Sequence, residues 1–143
     1  MYTQTLIRII SFLLTVLFLY TALSKLLDIA TFQRQLANQH IPRWTVPYLA
    51  MAIPGTELII AGCLISSSFR RLGLYLSAFL MLIFTVYISL VLFDFFGSLP
   101  CNCGGVISSM RFSTHLVFNL FFLSIAILGV NLANSSVQPV DRS

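Results

Sequence analysis

Cys101 and Cys103 stand one residue apart in the run Pro100-Cys101-Asn102-Cys103-Gly104-Gly105. Residues at this spacing can bring their Cα atoms within the roughly 4.4–6.8 Å that a disulfide tolerates. The ring so closed is very small and strained. A strained, exposed disulfide is oxidising and labile rather than structural. It closes almost no loop, so it adds little stability by restricting the unfolded chain. Pro100 before the pair and Gly104-Gly105 after it let the backbone turn and keep the sulfurs accessible. The spacing therefore points to thiol–disulfide exchange or to soft-metal binding. An inert pair is the third reading.

The remaining cysteine, Cys63, is about sixteen residues into an apolar stretch, roughly 20 Å or more from the pair. As a resolving thiol it is badly placed, and a buried membrane cysteine is usually a small apolar filler. A soft-metal carrier, by contrast, needs a second thiol along its path, and Cys63 is the available one. No Gly-rich nucleotide loop, haem histidine pair or nucleophile constellation is visible, and His40 and His115 are the only histidines. With one dithiol the chain cannot relay electrons internally. It needs a partner dithiol or a membrane acceptor such as a quinone.

Polar residues inside the apolar stretches form the second set. Lys25, Glu57, Asp94, Arg111, His115 and Asn119 all sort towards the end of the molecule that carries the cysteine pair. Glu57 is roughly 15 Å into its stretch, with Lys25 slightly nearer the surface, so the two are expected to pair. An unpaired charge there costs about 3 kcal/mol on insertion scales. Such a pair serves packing as readily as function. Arg111, His115 and Asn119 follow at i, i+4 and i+8 and so share one helix face. A cation near the cysteines favours thiolate, the reactive form. Arg111 reads equally well as an interfacial anchor, and His115 as a hydrogen-bonded interface residue.

What positions these residues is a membrane bundle. The 143 residues are 58% hydrophobic and 8% charged, against roughly a quarter charged in soluble domains. The eight basic residues are scattered, which gives no nucleic-acid footprint. Four stretches reach the roughly 20 apolar residues of a spanning helix, at about 6–27, 47–66, 72–96 and 112–132. Backbone satisfaction in lipid makes them helices. The expected fold is all-α, a four-helix membrane domain over residues 1–133 with a polar, disordered tail over 134–143. The first span reads as retained rather than as a cleaved signal peptide, because Tyr20-Thr21-Ala22-Leu23 is a poor cleavage site. Ile29, Phe32 and Leu36 at i, i+3 and i+7 predict a short interfacial helix between spans one and two, ended by Ile41-Pro42. Trp44 and Tyr48 read as belt anchors. Pro54-Gly55 should kink span two just before Glu57. Ala61, Gly62, Gly73 and Ser77 read as close-packing positions. Basic residues divide evenly between the two sides. The Arg70-Arg71 turn favours cytoplasmic termini, which places the cysteines outside, where disulfides persist.

Several segments together carry a resemblance. They are Ala22-Leu23-Ser24-Lys25-Leu26, Phe32-Gln33-Arg34-Gln35-Leu36, Pro54-Gly55-Thr56-Glu57-Leu58, Arg71-Leu72-Gly73-Leu74, Cys101-Asn102-Cys103-Gly104-Gly105 and His115-Leu116-Val117-Phe118-Asn119. The chain resembles the MauE/DoxX-like family of four-helix membrane proteins, its MauE-like branch in particular, from about residue 6 to residue 132. The resemblance implies disulfide chemistry beside an extracytoplasmic thioredoxin-like partner, or substrate thiols, at the bacterial inner membrane. A quinone link is implied for the wider group. It makes Cys101 and Cys103 the redox pair and Lys25, Glu57, His115 and Asn119 pocket residues, while the substrate does not transfer. Two alternatives stand beside it: a mercuric or copper ion transporter using Cys101, Cys103 and Cys63, and a non-catalytic membrane subunit of a larger complex.

Overall fold

An apolar stretch in lipid must close every backbone hydrogen bond on itself, and the helix does so within one segment. The computed structural model describes residues 1–39, 41–93 and 112–136. Among them there are helices and no strand. Helix α1 runs Tyr2–Leu27, α2 Ile29–Ala37, α3 Val46–Ile65, α4 Arg70–Leu92 and α5 Phe112–Ser135, with a 3-10 turn at Arg43–Thr45. Four of these are long and apolar enough to cross a membrane. The 26 residues of α1 extend about 39 Å at 1.5 Å per residue, more than the hydrocarbon core requires. The first span begins at Tyr2, earlier than its apolar pattern suggests, because helix continues through polar residues at the interface.

The core follows the helical period. Ile7, Ile10, Leu14, Leu17 and Phe18 form one buried stripe of α1. Ile60, Ala61 and Leu64 of α3, Leu74 and Met81 of α4, and Leu123, Ala126 and Ala133 of α5 pack against that stripe. Helix α1 packs on α3 and α5, and α4 packs on α5 and α3, so α1 and α4 meet only lightly across the bundle. Phe12, Ile59, Phe79 and Phe121 point outward and are exposed. In water such a surface would drive aggregation; here it faces lipid.

Without a hydrophobic drive between helices in lipid, small residues decide how closely they approach. Gly73 marks the tightest crossing of α3 and α4. A Cβ there would lie 2.9 Å from Leu64 N and 3.1 Å from the Cys63 carbonyl carbon. A Cβ on Gly129 would meet Ile10 Cγ2 and Leu74 Cδ2, both at 2.9 Å, where α1, α4 and α5 converge. Ala61 and Ser77 are fully buried. Gly62 differs from its expected role: a Cβ there would meet nothing within 4 Å. Three buried hydroxyls are satisfied within their own helices. Thr15 donates to Ser11 O, Ser77 to Gly73 O and Thr85 to Met81 O, each at 2.7 Å.

The predicted interfacial helix is α2. Asp28 caps it, its Oδ1 accepting from Thr31 N at 3.2 Å. It buries no residue fully, as suits a helix lying on the bundle rather than in it. Helix α2 packs mainly on α3. Gln39, just beyond it, accepts a hydrogen bond from the Tyr87 hydroxyl of α4. Trp44 and Tyr48 project outward, consistent with an interfacial belt.

Candidate functional site

Lys25 comes from the last turn of α1 and Glu57 from the middle of α3. These helices run antiparallel, so the two side chains converge near one end of the bundle. Lys25 Nζ donates to Glu57 Oε1 at 2.5 Å. The Glu57 side chain is 2% exposed and that of Lys25 24%. This is the only ion pair among the described residues. Thr21, one turn before Lys25, lies beside the Glu57 carboxylate, while its hydroxyl bonds to Phe18 O at 3.3 Å.

Lys25 is the hub of this end. Its ammonium sits 5.7 Å from the Phe32 ring centroid of α2 and 5.9 Å from that of Phe84 on α4. A cation within about 6 Å of an aromatic face gains from the ring quadrupole, more so where water is scarce. His115 of α5 lies within electrostatic range of Lys25. One ammonium therefore gathers groups from all five helices. Phe84 and Thr21 were not legible as site residues. Thr21 carried a signal in its i−4 spacing from Lys25; Phe84 carried none.

Hydrogen-bonding capacity is left over. Glu57 Oε2, His115 Nδ1 and Asn119 Nδ2 are buried atoms with no partner among the described residues. Glu57 and Asn119 are 1% and 4% exposed as residues. An unpaired buried polar atom costs about 1–3 kcal/mol, so several at one end of a small bundle need an explanation. Pro54, fully buried one turn before Glu57, has no N–H to give the Ala50 carbonyl, which further raises the polarity of this part of α3.

The structure thus brings together Lys25, Glu57 and His115 and sets Asn119 one turn deeper on α5. Cys101, Cys103, Asp94, Arg111 and His40 lie outside the described residues. The segment 94–111 joins the end of α4 to the start of α5, and both of these chain ends belong to the Lys25 side of the bundle. Cys63 is a free thiol near the last turn of α3, beside the start of α4 and at the opposite end. Among the described residues no three His, Cys, Asp or Glu side chains come together as a metal site.

The family model described as methylamine utilisation protein MauE matches residues 3–132. The chain belongs to the MauE family. The match reaches all four spans and takes in Lys25, Glu57, Cys101, Cys103, His115 and Asn119. No curated protein and no solved structure matches the chain. This MauE-family chain is an integral membrane protein, with the outward apolar faces of its four spans in contact with lipid.

Proposed function

We propose that this MauE-family protein is a membrane thiol–disulfide redox protein in which Cys101 and Cys103 cycle between dithiol and disulfide. The partner is an extracytoplasmic thioredoxin-like protein or a substrate thiol pair. Each exchange passes two electrons and two protons between the pairs: one disulfide is reduced to two thiols as two thiols on the other protein become a disulfide. The cysteine loop then faces outward and the termini lie in the cytoplasm of a bacterial cell.

The observation that supports this reading is the placement of unspent polar groups. Lys25, Glu57, His115 and Asn119 collect at the end of the bundle from which the cysteine segment leaves and to which it returns. A positive charge near a thiol favours the thiolate, which is the attacking species. A single dithiol also needs an outside acceptor. The Lys25 ammonium spends one of its three hydrogens on Glu57 Oε1, and the Asn119 amide has donors to give. That donor set fits a quinone head group, whose carbonyls accept; such a group would receive the two electrons.

The test is the redox state of the cysteines and of the partner in intact cells. A membrane-impermeant thiol reagent should label Cys101 and Cys103 only after mild reduction. Cys101→Ser should leave the partner's cysteines in the opposite redox state from wild type. Unchanged partner oxidation in Cys101→Ser would sink the proposal.

A further inference from the structure

At the opposite end, α1 and the α3–α4 turn enclose a cleft of about 220 Å³. Arg8, Ser11 and Thr15 contribute from α1, at i, i+3 and i+7 and hence on one helix face. Arg70 enters from the start of α4, and Leu64 and Ile65 from the end of α3. Phe12 and Ile65 are exposed apolar side chains, so the cleft opens onto the lipid-facing surface.

Its polar wall is positively charged and unfinished. Neither arginine has a carboxylate partner among the described residues. Arg70 uses Nε to reach Leu64 O at 3.3 Å, which fixes the guanidinium at the cleft while leaving its terminal nitrogens to bond elsewhere. Ser11 is 4% exposed, yet its Oγ has no hydrogen-bond partner. That is unusual in this molecule, because the neighbouring Thr15 hydroxyl back-bonds to Ser11 O at 2.7 Å. Ser11, which lines the cleft together with both arginines, forgoes the same option, so its buried hydroxyl keeps a donor unspent. The uncapped N-terminus of α4 adds its positive end nearby.

We propose that this cleft binds the phosphate of an anionic phospholipid. The two guanidinium groups match a phosphate in charge and geometry, and Ser11 Oγ supplies a further donor. Phe12, Leu64 and Ile65 offer the adjoining acyl chain an apolar wall. The site lies at the end of the bundle remote from Lys25 and uses none of the residues of the redox reading, so either can fail without the other.

The experiment is native mass spectrometry of the full chain released from nanodiscs made of equal parts phosphatidylglycerol and phosphatidylcholine. Wild type should retain phosphatidylglycerol over phosphatidylcholine by about thirtyfold, the factor expected for two basic side chains at a charged headgroup. The double variant R8Q/R70Q should lose that preference, and Ser11→Ala should weaken it. Arg71→Gln, whose guanidinium is engaged by Asn134 outside the cleft, should keep it. Equal retention of the two lipids by wild type, or a preference indifferent to R8Q/R70Q, overturns the proposal. Thermal stabilisation in detergent by glycerol 3-phosphate equal to that by phosphatidylglycerol also overturns it, since it would make the cleft a site for soluble anions.

Discussion

The two ends of the bundle handle polarity in opposite ways. At the Lys25 end, charges of both signs are drawn inward, paired, and surrounded by aromatic rings and unspent hydrogen-bonding atoms. At the other end the charged side chains among the described residues are all positive and sit at the periphery. Arg71 and Tyr75 meet on the Asn134 side-chain oxygen at 2.7 and 2.9 Å, and Arg8 and Arg70 line an open cleft. A peripheral arginine can snorkel to water and costs little. An internal ion pair costs several kcal/mol to desolvate and is recovered only in good geometry. Stability alone does not call for the internal pair, whereas a site that must hold a charge in a dry place does.

The largest effect should come from separating that internal pair. Lys25→Met strands the Glu57 carboxylate at 2% side-chain exposure and should cost about 3–5 kcal/mol. Arg71→Met at the opposite end removes only an exposed hydrogen bond to a neutral amide and should cost about 0–1 kcal/mol, the range of exposed pairs. Thermal unfolding in detergent reads both. The double variant K25M/E57L should recover most of the loss, because a buried pair replaced by apolar groups is often neutral. Equal losses from the two single variants would erase the contrast between the ends. A double variant as stable as wild type yet inactive in partner oxidation would sharpen it, since the pair would then be kept for chemistry.

A smaller effect separates two glycines at the arginine end. Gly73→Val forces a side chain into the Leu64 and Cys63 backbone and should cost about 1–3 kcal/mol as overpacking. Gly62→Ala places a methyl where nothing lies within 4 Å, so it should instead gain about 0.5–1 kcal/mol from the lower helix cost of alanine. Unfolding by denaturant in detergent distinguishes the signs. Losses of the same size in both would mean that α3 is packed on its Gly62 face as well.

This pair of glycines also shows what the sequence could and could not disclose. Both are small residues in apolar helices and look alike there. Only the crossing of α3 over α4 makes one indispensable, and no local pattern encodes which face of α3 meets α4. The spans themselves were legible, because their signal is composition over some twenty residues and the bilayer leaves the backbone one solution. The Lys25–Glu57 pair was legible for a related reason: two charges at matching depth in adjacent antiparallel spans have few alternatives to each other. The aromatic contacts of Lys25 were not, since one phenylalanine in a chain with 13 of them carries no mark. The arginine cleft went unseen although Arg8, Ser11 and Thr15 share a face, because its other wall comes from Leu64, Ile65 and Arg70, far along the chain.

The smallest effect tests whether α2 belongs to the Lys25 end as a cover. Phe32 on α2 lies over the ammonium, and Asp28 holds the start of that helix. The Thr31 side chain and backbone N–H hold the Asp28 carboxyl below the usual aspartate range, with a smaller contribution from the Arg34 charge. A carboxylate whose folded-state value is depressed adds stability above its ordinary value, and that stability is lost as pH falls through the depressed one. Hydrogen exchange of the α2 amides, Thr31 first, should therefore be slow at neutral pH and, after correction for intrinsic rates, lose protection as pH drops below the ordinary aspartate range. Asp28→Asn keeps a good capping side chain and should leave protection modest but independent of pH. Asp28→Ala should remove it at every pH. If Lys25 also becomes more reactive towards an amine reagent in Asp28→Ala, α2 shields the ammonium. Reactivity unchanged while α2 loses protection would mean that the polar end is closed by the spans themselves.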